Sequence, residues 1–171
     1  MSFKYLGANI TSTRNLKEEV KTQTTKASLI SGYLRDIIWQ NKYMSSRSKV
    51  RIYKACGRPI MTYGIETRAD NTTTKRLLRT TEVRTLRSIT GYTLYDWKRS
   101  EDVRETCEVE EVRWARNKRR EWRDHMDRMP NDRLAKIARE NRPNTPRPPG
   151  RPPIRWYESR SSSSQLFLGN H

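Results

Sequence analysis

The longest run of the chain with substantial apolar content and little acid is residues 47–69, RSKVRIYKACGRPIMTYGIETRA. At helical spacing Val50, Tyr53 and Gly57 fall on one face, and Ile52, Cys56, Ile60 and Tyr63 on a connected one, which predicts a central buried helix. Ser45 or Ser46 can accept from the free backbone N–H groups at its start. Pro59 predicts a kink, because proline removes one donor and crowds the carbonyl four residues back. Upstream, residues 3–11, FKYLGANIT, read as a strand by their Phe, Tyr and Ile, with Gly7 permitting a bend and the polar residues 11–15 forming the turn of a hairpin.

The period changes after the turn. Leu16, Val20, Thr24, Ala27, Ile30, Leu34 and Ile37 or Ile38 advance by three or four, the stripe of an amphipathic helix with Glu18 and Glu19 in its first turn, where the helix dipole favours them. Beyond the central helix, Leu78, Val83, Leu86 and Ile89 mark another helix ending at Gly91. Residues 92–99 form a loop with aromatic anchors. A short helix then opens at Ser100 with Val103 and Cys107 inward. Val112, Ala115, Arg119, Trp122, Met126 and Met129 trace a fifth helix stopped by Pro130, and Leu134, Ile137 and Ala138 a last short one. From residue 142 the chain turns to RPNTPRPPGRPPIRW and then to a Ser-rich end, so 142–171 is expected to be a disordered basic tail. The fold class is mainly α: a strand or hairpin remnant over 1–15, a helical domain over 16–141, and the tail.

Charge narrows the function. The 171 residues carry a formal net charge of +17, which concentrates polyanions around any fold, and nucleic acid is the expected partner. Leu, Ile, Val and Phe make up only about a sixth of the chain, so the helical body should be marginally stable in isolation, as if a covering surface were missing. There is no apolar run able to span a bilayer and no signal peptide at the start, which predicts an intracellular location, nucleus or cytoplasm, without a membrane partner. Cys56 and Cys107 lack the short spacing of a zinc site or redox pair and read as small buried residues.

The sharpest constellation is on the fifth helix. Arg113, Arg116, Lys118, Arg119, Arg120 and Arg123 stand against one interior acid, Glu121, and together with Arg147, Arg151 and Arg155 in the tail they are the expected phosphate contacts. Trp114 and Trp122 can stack on bases or pack inward. The plainer account is a helix that buries Val112, Ala115 and Trp122 and presents a solvated basic face. Gly150-Arg151-Pro152 resembles the core of an AT-hook, although Pro149 stands where an arginine normally flanks the glycine. His125 has no metal-spaced companions and reads as a packing or capping residue. No nucleophile motif, paired-aspartate strand or Gly-rich phosphate loop is present, so the chain is not expected to be an enzyme by itself or to take a cofactor, metal or small-molecule substrate.

Several segments together resemble the C-terminal part of the reverse transcriptase of non-LTR (LINE-type) retrotransposons. They are Phe3-Lys4-Tyr5-Leu6-Gly7; Lys49-Val50-Arg51-Ile52-Tyr53-Lys54; Arg58-Pro59-Ile60-Met61-Thr62-Tyr63-Gly64 with Glu66; Leu86-Arg87 to Gly91; Arg120-Glu121-Trp122 with His125 and Arg128-Met129; and Gly150-Arg151-Pro152 with Arg155-Trp156. The resemblance implies that Lys4, Tyr5 and Gly7 belong to a primer-grip-like element closing the palm, and that the following helices are thumb-like and hold a template–primer duplex. That family's metal-binding Tyr-Ala-Asp-Asp-type strand lies upstream of FKYLG and has no counterpart in this sequence, and Ser12-Thr13-Arg14-Asn15 stands where relatives place an Asp-Gly pair. The implied function is binding of RNA or an RNA–DNA duplex by a truncated, catalytically silent reverse transcriptase fragment; whether it pairs with a palm in trans is left open by the sequence. Two alternatives stay open: an inert structural remnant, and a DNA-binding adaptor using the Gly-Arg-Pro tail.

Overall fold

The computed structural model describes residues 2–5, 7–11, 16–110 and 112–140. These are mainly helical. The tail, with Arg147, Arg151, Arg155 and the Gly-Arg-Pro segment, lies outside the described residues, as do the side chains of Lys4, Tyr5 and Arg113.

The segment FKYLGANIT, expected as one strand, is instead two: β1 (Ser2–Tyr5) and β2 (Ala8–Thr11), antiparallel with Ser2 opposite Thr11 and Tyr5 opposite Ala8. The reversal falls within this segment rather than after it. Gly7 supplies it with a φ of 86°, which side chains other than glycine's resist. The Gly7 carbonyl accepts from Gln23 Nε2 at 3.4 Å, tying the turn to the first helix.

That helix, α1 (Leu16–Leu34), buries Val20, Thr24 and Ala27, as its stripe predicts, and also Glu19 and Gln23, which lie outside that stripe. A π-turn over Arg35–Trp39 then shifts the register, leaving Ile37 exposed and turning Trp39 inward. The indole donates to the Ser31 carbonyl at 2.9 Å. The Trp39 carbonyl takes the buried Lys49 ammonium at 2.8 Å.

The central helix is not one element. It comprises α2 (Ser46–Ile52), a π-turn over Tyr53–Gly57, and α3 (Arg58–Met61), so it ends well short of residue 69. Ser45 is the cap, its hydroxyl accepting from Ser48 N–H at 3.2 Å. Pro59 sits in the first turn of α3 directly after the π-turn, where the wider turn accommodates the carbonyls that a proline cannot serve. Of the two faces the spacing allows, Val50 and Tyr53 go inward, whereas Cys56 and Tyr63 are exposed. The expectation that both cysteines are buried therefore holds for Cys107 alone.

α4 (Thr72–Thr90) starts at Asn71, whose side chain accepts from Thr74 N–H, and stops at Gly91 in the left-handed conformation, φ 77°. After a loop comes α5 (Ser100–Thr106), where Asp102 accepts the Arg99 N–H. Trp39, Val50, Tyr53, Leu86, Ile89, Val103, Cys107 and Val109 form the core of this first unit, which spans 1–64 and 71–111. Fully buried Leu86 alone contributes about 1.5–3 kcal/mol.

The second unit combines the segment Ile65–Asp70 with the chain from Val112 onward. Its helices are α6 (Val112–Asp127) and α7 (Leu134–Glu140). On α7 the apolar residues are not buried: Leu134, Ile137 and Ala138 are all exposed.

Candidate functional site

On α6 the 3.6-residue period sorts the basic residues into two groups. Ala115, Arg119, Trp122 and Met126 share the inner stripe, with Met126 buried and the other three half-buried. Arg119 is therefore turned toward the 65–70 segment, not toward solvent. Its Nε donates to the Ile65 carbonyl at 3.1 Å, and its Nη2 to the Arg68 carbonyl at 3.2 Å and to Asp70 Oδ2 at 2.9 Å. Arg68 Nε holds the other Asp70 oxygen at 2.6 Å. A helix position read from sequence as a phosphate contact is thus a clasp on a strap of chain.

The outer face carries Arg116, Lys118 and Arg120, all exposed. Arg116 and Arg120 lie one turn apart, about 6 Å along the axis. Lys118 pairs with Glu121 at 2.8 Å, a surface ion pair worth little and easily exchanged for another anion. Arg123 is half-buried, with Nε donating to the Arg119 carbonyl at 3.2 Å. His125 packs on Trp122 with ring centroids 5.5 Å apart, the packing role expected of it.

A second basic face, which the sequence reading did not single out, lies on α4 in the first unit. Lys75, Arg76, Arg79 and Arg84 are exposed, and the single acid of this helix, Glu82, is buried. Glu82 accepts from Tyr53 Oη and Arg104 Nε, each at 3.1 Å, with Arg58 Nε at 3.9 Å. Arg58 also donates through Nη2 to the Glu110 carbonyl. Burial above all, and then the neighbouring Glu82, push the Tyr53 phenol far above its ordinary pKa. The signal for this inward acid was present: Glu82 stands four residues from both Leu78 and Leu86, on the apolar stripe. Between α1 and α4 lies an open groove of about 600 Å³, lined by Lys21, Thr25, Ser28, Tyr33, Thr81 and Arg84 among others.

Of the remaining expected site residues, Gly7 makes the hairpin turn, while Lys4 and Tyr5 are placed only by their backbone in β1. Among the described residues no set of three His, Cys, Asp or Glu side chains could hold a metal ion. None of the described helices is long and apolar enough to cross a membrane. The chain matches no family model, no curated protein and no solved structure.

Proposed function

We propose that this chain binds RNA or an RNA–DNA duplex through its phosphates, as the thumb-like part of a non-LTR retrotransposon reverse transcriptase, in the nucleus or cytoplasm. The sequence segments quoted above support the family reading. The hairpin over 2–11 takes the place of the primer-grip element in it, and the helices that follow take the place of the thumb. No metal-binding aspartate strand occurs in the 171 residues, so polymerase chemistry would fall to a palm outside them, and the chain alone should extend no primer.

One observation carries the binding reading. The two best-buried acids, Glu82 and Asp70, are each held by arginines inside the fold; Lys75, Arg76 and Arg84 are exposed on α4, whose one acid is the buried Glu82, and Arg116 and Arg120 are exposed on α6 with Glu121 and Asp124 beside them. Such faces bind phosphate by counterion release, with log K falling against log salt by about 0.7 to 0.9 per phosphate neutralised.

The test is fluorescence anisotropy with single-stranded RNA, duplex DNA and hybrid across a salt series. Arg116→Ala with Arg120→Ala should flatten the slope by about 1.4 to 1.8. Binding that is absent, or indifferent to salt, would leave the inert remnant as the better account. A preference for A·T-rich duplex that vanishes on removing residues 142–171 would favour the adaptor.

A further inference from the structure

The loop 92–99 joins α4 to α5, and it is built unlike the rest of the surface. Tyr92 packs on the core, but Leu94, Tyr95 and Trp97 stand 75%, 88% and 90% exposed within four residues. Three large apolar side chains held in water on an unstructured segment would mean little. Here the backbone is fastened. Asp96 Oδ2 accepts from Thr93 N–H at 2.6 Å and from Thr93 Oγ1 at 2.8 Å, Trp97 N–H reaches the Leu94 carbonyl at 3.4 Å, and Arg87 Nη2 donates to the Lys98 carbonyl at 2.9 Å. The Thr93 bonds also hold the Asp96 carboxyl below its ordinary pKa.

Trp97 has a φ of 51°, the left-handed region that a bulky residue adopts only under constraint. Among the described residues the strained ring serves no packing purpose, since it points to solvent. Its flanks are basic: Lys98 and Arg99 are both exposed. The nearby acids Asp96 and Asp102 are turned to backbone N–H groups, and Glu101 follows in the first turn of α5. Aromatic rings beside cations suit unpaired bases and their phosphates, with stacking tolerant of sequence. A protein partner would also value Trp, Tyr and Leu94, but the exposed cations Lys98 and Arg99 directly after the rings match the phosphates that accompany unpaired bases.

We propose that the turn 94–97 is a stacking platform for unpaired bases of single-stranded nucleic acid, with Tyr95 and Trp97 as the rings and Lys98 and Arg99 on the flanking phosphates. This rests on the nucleic-acid reading above and extends it to a second surface, on the first unit.

The test is anisotropy of the full chain with a labelled twelve-nucleotide oligo-U and with a blunt duplex of the same length. Trp97→Ala should weaken oligo-U binding about tenfold or more, Trp97→Phe should retain most of it, and neither should change duplex affinity or salt slope. Tyr95→Ala, at a position with ordinary backbone, is the second variant should Trp97→Ala misfold. Arg116→Ala with Arg120→Ala should instead flatten the slope on both ligands. Equal oligo-U affinity for wild type, Trp97→Ala and Tyr95→Ala overturns the platform while leaving the basic-face reading intact, as does an equal loss on oligo-U and duplex. Loss of concentration-dependent self-association in Trp97→Ala, with oligo-U affinity unchanged, would make the turn a protein-docking surface. A wild type that binds neither ligand removes both readings together.

Discussion

Glu82 and Asp70 are each a buried carboxylate gripped by two arginines, one in each unit, and they organise their surroundings differently. Glu82 draws partners from three separate elements: Tyr53 in the π-turn, Arg58 in α3 and Arg104 in α5. It sits beside a packed apolar core in which Tyr53, Leu86 and Val103 are almost inaccessible. Asp70 holds one neighbour two residues away, Arg68, and one distant residue, Arg119 on α6. Around it, Ile65 and Met126 are the buried apolar side chains among the described residues of that unit. In the first unit the carboxylate fixes how already packed helices meet. In the second, hydrogen bonds and ion pairs stand in for a core.

Removing each carboxylate should expose this difference. Glu82→Ala takes from Arg58 and Arg104, with side chains only 8% and 11% exposed, the carboxylate they share. Removing one member of a buried ion cluster costs about 3–5 kcal/mol, much of the margin of a small domain, so urea melts should show the first unit largely unfolded at room temperature. A melt like wild type would mean that Glu82 contributes nothing to the fold. Asp70→Ala should cost less, about 1–3 kcal/mol, because of its two arginines only Arg68, 5% exposed, is as buried as those around Glu82, while Arg119 is 17% exposed and still has the Ile65 and Arg68 carbonyls to donate to. Its damage should be local. Hydrogen exchange should speed over 112–127 while 72–90 keeps its protection, and equal acceleration in both segments would erase the distinction between the units.

A smaller effect separates the clusters by pH. Burial and Glu82 raise the Tyr53 pKa above its ordinary value near 10, so the native state keeps a proton that the unfolded chain gives up as pH climbs past about 10. The stability this contributes is complete below that pH and is lost above it. Tyr53→Phe should cost about 1 kcal/mol at neutral pH, the value of one hydrogen bond, and should then decline less steeply than wild type between pH 9 and 11. Parallel decline of the two proteins would show that the phenol does not report on the Glu82 cluster.

The sequence made the apolar half of this comparison legible and hid the polar half. The α1 and α4 stripes, the Gly91 stop and the inward pair Val103 and Cys107 follow from spacing, because burying a helix face imposes its own period. The π-turns at 35–39 and 53–57 did not follow, since a wider turn leaves composition unchanged; of the alternatives Ile37 and Ile38 it is Ile38 that packs on the core, and Cys56, inside the second π-turn, is exposed. The site was half legible in the same way. Six basic residues on α6 announce a positive helix, but only the contact with 65–70 distinguishes Arg119, which clasps Asp70, from Arg116 and Arg120, which face solvent. The basic face of α4 depends on placement in the same way: its one acid, Glu82, is buried, while Lys75, Arg76, Arg79 and Arg84 are exposed.

Thiol labelling reports which unit has opened. Cys107 is buried in the first unit, and desolvation raises its thiol pKa despite the opposing pull of Lys54, so both access and thiolate supply limit its reaction. Cys56 lies in the same unit but is exposed. Iodoacetamide near pH 8 should therefore modify Cys56 in the native protein and reach Cys107 only when the first unit opens. Under these conditions Glu82→Ala should accelerate Cys107 labelling by orders of magnitude, in proportion to its loss of stability, whereas Asp70→Ala should leave the Cys107 rate at the wild-type value. Cys56 should react at nearly one rate in all three proteins, which makes it the internal control. Should Cys107 in the wild type label as fast as Cys56, the core around Val103 would be open in solution; should Asp70→Ala accelerate it as much as Glu82→Ala, the two carboxylates would be stabilising one cooperative body rather than two.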